Sequence, residues 1–202
     1  MKGEYAMKRY DGFEAKKSVS RETLPAGGYV AKIIGAEEQH YDWGDVLIIH
    51  FDILEGDFRD FFRADYKSQD REDKKWRGTY RLTEPKDDGS EKDGWAKRAM
   101  NNAVAVLEES NPGYHWDWVP MERGDFSQLK GKTVGVLFRN KQWDYNGQTG
   151  WTTECCALTS ADDIRKNKFR MPKDKPLSDN KRQTASGNAF SEVNVSDDDL
   201  PF

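Results

Sequence analysis

The sequence predicts a mainly β fold, a small five-stranded barrel with one helix between strands 3 and 4. Three observations predict it. Short runs rich in β-branched and aromatic residues recur between turn signals, as strands do. One central segment has apolar residues at helical spacing. From residue 171 the composition changes to polar and charged residues without periodicity, which is typical of a disordered tail.

The first three strands are predicted at 29–36, 46–54 and 58–66, separated by turns that contain Gly and Asp. Alternate residues of the second strand form one continuous apolar face, which predicts a core-facing side: Leu47, Ile49, Phe51 and Ile53. Trp43 is in phase with these residues and is expected in the core.

A long charged insertion is predicted at 67–92, and a helix follows it. Asp93 is a residue type that caps helices, and Trp95 begins a run of apolar residues at helical spacing. Asn111-Pro112-Gly113 ends the helix. Loops as long as this insertion are commonly functional or mobile.

The fourth and fifth strands are predicted at 133–143 and 151–158, joined through Asn146-Gly147, a strong signal for a two-residue hairpin. A short helix is predicted at 160–169. The order of three strands, one helix and two strands is that of an OB-fold, a partly open barrel that commonly binds oligonucleotides.

Four regions follow from these boundaries: an N-terminal arm at 1–24, an OB-like domain at 25–170, a flexible linker at 171–196 and an acidic tip at 197–202. No signal peptide, membrane-spanning run or lipidation motif is apparent, which predicts a cytoplasmic protein.

Composition limits the classes of function. The formal net charge of −4 excludes a uniformly basic nucleic-acid binder but not a basic groove on a balanced surface. The adjacent Cys155 and Cys156 are expected to be reduced thiols. No P-loop, GxSxG or HExxH motif occurs, so neither an enzyme nor a cofactor is expected. Acidic and imidazole groups around His50 and Asp52 fit a polar strand face better than a metal site.

The most informative motif is the acidic C-terminal tip, which consists of Asp197, Asp198, Asp199, Leu200, Pro201 and Phe202. An acidic end that only solubilises the chain has no need of a terminal aromatic ring. A ring, an α-carboxylate and three acidic groups together make a short docking motif.

This tip resembles the C-terminal end of bacterial single-stranded-DNA-binding proteins, with Leu200 where Ile is more usual. The resemblance implies that the tip binds replication, recombination and repair enzymes. The body differs from the housekeeping members, and its segment from Gly131 to Arg165 is more similar to proteins of Gram-positive phages and mobile elements. The oligomeric state, including a homo-oligomer, therefore stays open.

Single-strand binding without sequence preference needs cations for phosphates and flat side chains for bases. Alternation in the predicted third strand places one aromatic between two arginines on its outward face: Arg59, Phe61 and Arg63. The alternative interpretation, equally weighted, is a lone exposed Phe beside ordinary surface charges. The insertion carries a second cluster, read either as a DNA-contacting flap or as a solvated loop: Lys74, Lys75, Trp76 and Arg77.

The hairpin supplies the third set of candidates. Counting from Asn146-Gly147 pairs Tyr145 with Gln148 and Trp143 with Gly150. The remaining predicted pairs are Lys141 with Thr152, Arg139 with Glu154, Phe138 with Cys155 and Val136 with Ala157. Phosphate contacts are predicted for an unpaired Lys141, for Lys132 and for Arg139, although Arg139 equally fits an ion pair with Glu154. Trp143 and Trp151 are the predicted stacking residues.

The function predicted from the sequence is sequence-independent binding and protection of single-stranded DNA. The alternative is an adaptor or inhibitor that captures replication and repair enzymes through the tip without binding DNA. Quenching of tryptophan fluorescence by oligo(dT), with strong salt dependence, distinguishes the two.

Overall fold

The computed structural model describes residues 22–177 and contains five strands, four α-helices and one 3-10 turn in that range. In chain order these are β1 (Gly27–Tyr41), β2 (Gly44–Ile53), α1 (Phe61–Ser68), β3 (Thr79–Thr83), α2 (Glu91–Ser110), α3 (Trp118–Met121), the 3-10 turn Ser127–Leu129, β4 (Thr133–Tyr145), β5 (Gln148–Thr159) and α4 (Ala161–Arg165). The fold is therefore mainly β, as predicted.

All five strands belong to one antiparallel sheet in the order β3-β2-β1-β4-β5. Strand β1 is central and long enough to pair with two neighbours, with β4 near its beginning and with β2 along the rest. A register shift between Ile33 and Gly35 interrupts the ladder with β2, and such irregularities bend a strand. The sheet has the strand order of an OB-fold but is not a closed barrel, because no ladder joins β3 to β5.

The core lies between the sheet and α2. The predicted apolar face of β2 is buried, and Phe51 is completely inaccessible to solvent. Met100, Ala103 and Leu107 of α2 pack in the same cluster at helical spacing. The helix begins one turn earlier than predicted, because Ser90 is its N-cap and the Ser90 side chain accepts a hydrogen bond from the Asp93 amide.

The predicted third strand at 58–66 is wrong. The chain there forms α1, and the third strand is Thr79–Thr83, inside the predicted insertion. The buried carboxylate of Asp52 explains the helix, because it accepts hydrogen bonds from the amides of Phe62 (3.0 Å) and Arg63 (3.2 Å). These are donors that the first turn of a helix leaves without intrahelical partners.

The β4–β5 hairpin has the predicted turn and most of the predicted register. Asn146 and Gly147 both have positive φ, 50° and 76°, as a tight two-residue loop requires. The pairs at Tyr145, Trp143, Lys141, Arg139 and Phe138 are confirmed.

The prediction for Val136 is wrong. A register shift between Leu137 and Phe138 adds a residue to β5, so Val136 faces Leu158.

Trp43 is 53% exposed, so its predicted core position is wrong, since the residue lies in the turn between β1 and β2. Trp95 is partly buried, and the Arg98 guanidinium lies 4.4 Å from its ring centroid.

Within residues 22–177, none of the helices has the length and apolar character needed to cross a membrane.

Candidate nucleic-acid interface

A cleft of about 440 Å³ opens between β3 and β5, where the sheet does not close. Its lining includes two acidic residues, Glu22 and Glu154, and five basic ones: Arg77, Arg81, Arg139, Lys141 and Lys175. Phe61, Tyr80 and Phe138 add aromatic surface. Cations therefore exceed acids in the lining, which suits a ligand with negative charge and flat apolar groups. The cleft brings together four of the predicted DNA-binding residues: Phe61, Arg77, Arg139 and Lys141.

Two of the cleft cations share one carboxylate. Arg139 donates to Glu154 Oε1 from Nε (2.9 Å) and Nη2 (2.8 Å), and Lys141 Nζ donates to Glu154 Oε2 at 2.7 Å. The ion pair of Arg139 is thus the reading that the structure supports, and the prediction that Lys141 is unpaired is wrong. Lys141 reaches diagonally to Glu154 although it faces Thr152 directly. The group as a whole carries one excess positive charge.

Burial disfavours the charged form of Glu154, but the hydrogen bonds from Lys141 and Arg139 outweigh it, so the pKa of this carboxyl lies below its usual value. Glu154 is therefore ionised at neutral pH, and its hydrogen bonds hold the two cations in the lining of the cleft. Any anion that binds these two cations competes with this carboxylate.

Arg77 and Trp76 are held in the fold and do not form a flap. Arg77 Nη1 lies 3.0 Å from Asp65 Oδ1. The Trp76 indole is half-buried, and its Nε1 donates to the carbonyls of Phe51 and Gly78, both at 3.1 Å. Neither predicted reading of Trp76, a DNA-contacting flap or a solvated loop, describes this position.

The remaining members of that cluster, Lys74 and Lys75, are exposed. Gln69 fixes the backbone beside them, because its side chain donates to the Lys75 carbonyl and accepts from the Lys75 amide, both at 2.9 Å. The Lys74 ammonium lies 6.0 Å from the Tyr66 ring centroid. These lysines are presented on an ordered segment outside the lining of the cleft.

Arg59, Phe61 and Arg63 do not form the predicted outward face of a strand. Arg59 and Arg63 are exposed and each lies within 4 Å of Asp60, at 3.7 and 3.6 Å. Phe61 is half-buried against Phe62, with ring centroids 5.2 Å apart, and it contributes to the cleft from α1. In a strand, alternation would have placed these three residues on one face, but the turn and the start of α1 do not align them.

The far half of the β4–β5 hairpin carries three exposed aromatic residues: Trp143 (40%), Tyr145 (72%) and Trp151 (53%). Because Trp143 faces Gly150 and Trp151 faces Gln142, the two indoles lie on opposite faces of the hairpin. We call residues 139–154 of this hairpin the arm, which is distinct from the N-terminal arm predicted at 1–24. Lys141 lies two residues before Trp143 on the same face, so the arm joins an exposed indole to a cation of the cleft.

A second exposed aromatic group was missed from the sequence. At the turn between β1 and β2, the rings of Tyr41 and Trp43 stack with centroids 5.1 Å apart and an interplanar angle of 11°. The Arg81 guanidinium lies 5.5 Å from the Tyr41 centroid and hydrogen-bonds to the Tyr41 hydroxyl and to Gln39. Arg81 also lines the cleft, so this group borders it. The signal was present, because Asp42-Trp43-Gly44 is a turn and the loop between strands 1 and 2 of an OB-fold commonly contacts ligand.

Lys132 lies apart from the cleft, with its ammonium 4.4 Å from the Tyr114 ring centroid at the beginning of β4. The six residues of the tip, 197–202, lie outside the described residues, as does most of the predicted linker. The first residues of that linker are described, and 174–177 are hydrogen-bonded to β4.

Within the described range, one group has the composition of a metal site: Glu38, His40 and Asp45, whose ligand atoms lie within 4.8 Å of one another. His40 Nδ1 and Asp45 Oδ1 are already hydrogen-bonded at 2.7 Å across β1 and β2. This hydrogen bond, followed by the charge of Glu38, raises the pKa of His40. An exposed ion pair accounts for the arrangement.

No model of a known protein family matches the chain, and no curated protein sequence matches it either.

Proposed function

We propose that the protein binds single-stranded DNA without sequence preference and protects it during replication, recombination and repair in the cytoplasm. The observation that carries this proposal is the arrangement of exposed aromatic residues around a basic cleft on an OB-like sheet. Arg81 lines the cleft and contacts Tyr41 of the Tyr41–Trp43 stack. Lys141 also lines the cleft and lies on the same face of the arm as Trp143.

The chemistry of the site suits a single strand better than a duplex. The faces of the bases are exposed in a single strand, and each stack on an aromatic side chain contributes about 1–3 kcal/mol. In a duplex the bases are already stacked on one another. Stacking also explains the absence of sequence preference, because every base has a flat face. The phosphates would contact the cleft cations, where positive residues exceed acids.

The second part of the proposal is that residues 197–202 recruit partner enzymes. It is supported by the resemblance of the tip to the C-terminal end of bacterial single-stranded-DNA-binding proteins. Phe202 would enter an apolar pocket of the partner, and its α-carboxylate would meet a basic side chain, most favourably an arginine that binds it through two hydrogen bonds.

The experiment is a titration of the full-length protein with oligo(dT), followed by tryptophan fluorescence at several salt concentrations. We expect quenching, tighter binding than to a duplex of equal length, and an affinity that falls with salt by a slope of about −0.7 per phosphate contacted. Equal or tighter binding to the duplex would contradict the proposal. No binding to either, together with capture of repair enzymes through the tip, would support the adaptor function in its place.

A further inference from the structure

The arm leaves the sheet part-way along β4. Strand β1 pairs with β4 only from Thr133 to Phe138, so the β4 edge from residue 139 onward has no partner in β1. A two-stranded ribbon alone is marginally stable in water. The indoles of Trp143 and Trp151 therefore lie on a hairpin whose β4 edge is not paired with β1.

Residues 174–177, which we call the strap, occupy this edge. The Gln142 amide donates to the Lys175 carbonyl at 2.9 Å, and the Lys175 amide donates to the Asn140 carbonyl at 2.8 Å. These two bonds form a parallel bridge between Lys141 and Lys175. The strap thus adds a single parallel bridge to the free edge of the arm.

Side chains fix the strap at both ends. Asn140 Nδ2 donates to Asp174 Oδ1 at 2.9 Å, and the Leu177 amide donates to Gln142 Oε1 at 3.2 Å. Lys175 also contributes to the lining of the cleft. The strap is therefore in contact with the arm and with the cleft at once.

We propose that the strap is a positioning element of the oligonucleotide-binding site: it orders the arm, and so sets the orientation in which the Trp143 indole meets the bases. The ligand in this inference rests on the function proposed above. A site that is ordered before binding loses less conformational freedom when the ligand arrives, so release of the strap should weaken binding although the indoles remain.

The test compares two full-length variants, Lys175→Pro and Lys175→Ala. Both remove the lysine side chain, but only proline removes the amide that donates to Asn140. We expect Lys175→Pro to bind oligo(dT) about fivefold more weakly than Lys175→Ala, the order of effect of losing one hydrogen bond. Hydrogen exchange of the Gln142 amide reports release of the strap directly and should be faster in Lys175→Pro.

The outcomes are distinct. Faster exchange along the arm with weaker oligo(dT) binding supports the proposal, whereas faster exchange with the affinity of Lys175→Ala overturns it. If the wild type binds no oligo(dT), the function proposed above fails, and hydrogen exchange along the arm alone tests whether the strap orders it. Unchanged protection of the arm in Lys175→Pro would refute that ordering role, and lost protection would support it.

A milder variant is available should Lys175→Pro fold poorly. The double substitution Asp174→Ala and Gln142→Ala removes the two side-chain hydrogen bonds and leaves the backbone bridge in place. The same pair of measurements applies, with arm exchange and oligo(dT) affinity expected to change together.

Discussion

The indole of Trp143 lies across Gly150, its cross-strand partner on β5. A Cβ atom built on Gly150 would lie 2.5 Å from Trp143 Cζ2 and 2.7 Å from Cε2, closer than side chains approach. The missing side chain of one residue therefore makes room for the ring of the other. An aromatic ring that covers a cross-strand glycine is a known way to stabilise a hairpin, and here it also fixes the orientation of an exposed indole.

This contact leads to the first prediction, for Gly150→Ala. The added methyl group forces the indole of Trp143 from its position without removing it. We expect oligo(dT) binding to weaken severalfold while the body stays folded. Thr149→Ala, at the neighbouring exposed position, is the control and should bind as the wild type does. Unchanged binding by Gly150→Ala would show that the orientation of Trp143 is not used.

The second prediction concerns the aromatic stack at the turn between β1 and β2. Trp43→Ala should weaken oligo(dT) binding by about 1–3 kcal/mol, because it removes one stacking surface. Trp118→Ala is a matched control, since Trp118 is 50% exposed, close to the 53% of Trp43, but lies on α3 away from the cleft lining. Fluorescence anisotropy of labelled oligo(dT) avoids the lost tryptophan signal. Equal losses in the two variants would contradict the assignment of Trp43.

The third prediction separates Trp76 from the binding residues. Trp76→Ala removes a half-buried ring and leaves the Phe51 and Gly78 carbonyls without its indole donor. We expect the free energy of unfolding to fall by roughly 2–4 kcal/mol. Urea denaturation measures it, and Glu109→Gln, at an exposed position of α2, should stay within about 0.5 kcal/mol of the wild type, as exposed substitutions usually do. Wild-type stability with weak oligo(dT) binding would restore Trp76 as a contact residue.

The fourth prediction concerns the carboxylate that holds two cations of the cleft. Glu154→Gln removes the negative charge that competes with phosphate for Arg139 and Lys141, so oligo(dT) affinity should rise at low salt. The salt slope should become steeper by about 0.7 for each phosphate gained. Glu109→Gln, at an exposed position of α2, removes the same charge elsewhere and should leave the slope unchanged.

The lowered pKa of Glu154 also predicts a pH dependence of stability. A carboxyl whose pKa is lower in the folded state stabilises the fold above its unfolded pKa, near 4.5, and this contribution disappears as pH falls through the folded value. Glu154→Gln should therefore lose less stability than the wild type on acidification below pH 4.5. Parallel curves of melting temperature against pH would contradict this.

The fifth prediction concerns the tip. Deletion of Phe202 removes the ring and moves the α-carboxylate to Pro201, so capture of replication and repair enzymes should be abolished. Burial of the ring could contribute roughly 1.5–3 kcal/mol, whereas each exposed aspartate pair gives about 0–1 kcal/mol. The measurement is a pull-down with full-length and shortened protein, paired with an oligo(dT) titration in which binding should persist. Capture that survives the deletion would refute the role of Phe202.

Local chemistry explains which features were predictable from the sequence. Asn146-Gly147 determines its own turn, and the register of the adjoining pairs follows from the turn as far as Phe138. Beyond that point the extra residue in β5 depends on packing, and no local signal marks it. The buried face of β2 was predictable for the same reason as the turn, because strict alternation has one geometric meaning.

The errors have a common cause, which is contact between residues distant in the sequence. The segment 58–66 has apolar residues that fit a strand or a helix, and the choice is made by Asp52, which accepts amide hydrogen bonds from the first turn of α1. Lys141 is paired although its direct cross-strand neighbour is Thr152, because its long side chain reaches the diagonal Glu154. The cleft itself was not predictable, since it depends on how far β3 stays from β5.

Attachment of the strap to the arm limits the distance over which the tip would act in the proposed function. Leu177 is bonded to Gln142 on the arm, so the chain that leads to the tip is attached next to the proposed oligonucleotide site. The sequence predicts a flexible linker as far as residue 196, and 19 such residues after Leu177 would have a root-mean-square reach of roughly 22–26 Å. An enzyme held by Phe202 would then experience a high effective concentration of the bound strand, since tethering makes the second encounter intramolecular. Lengthening the linker should dilute that advantage without changing either binding site.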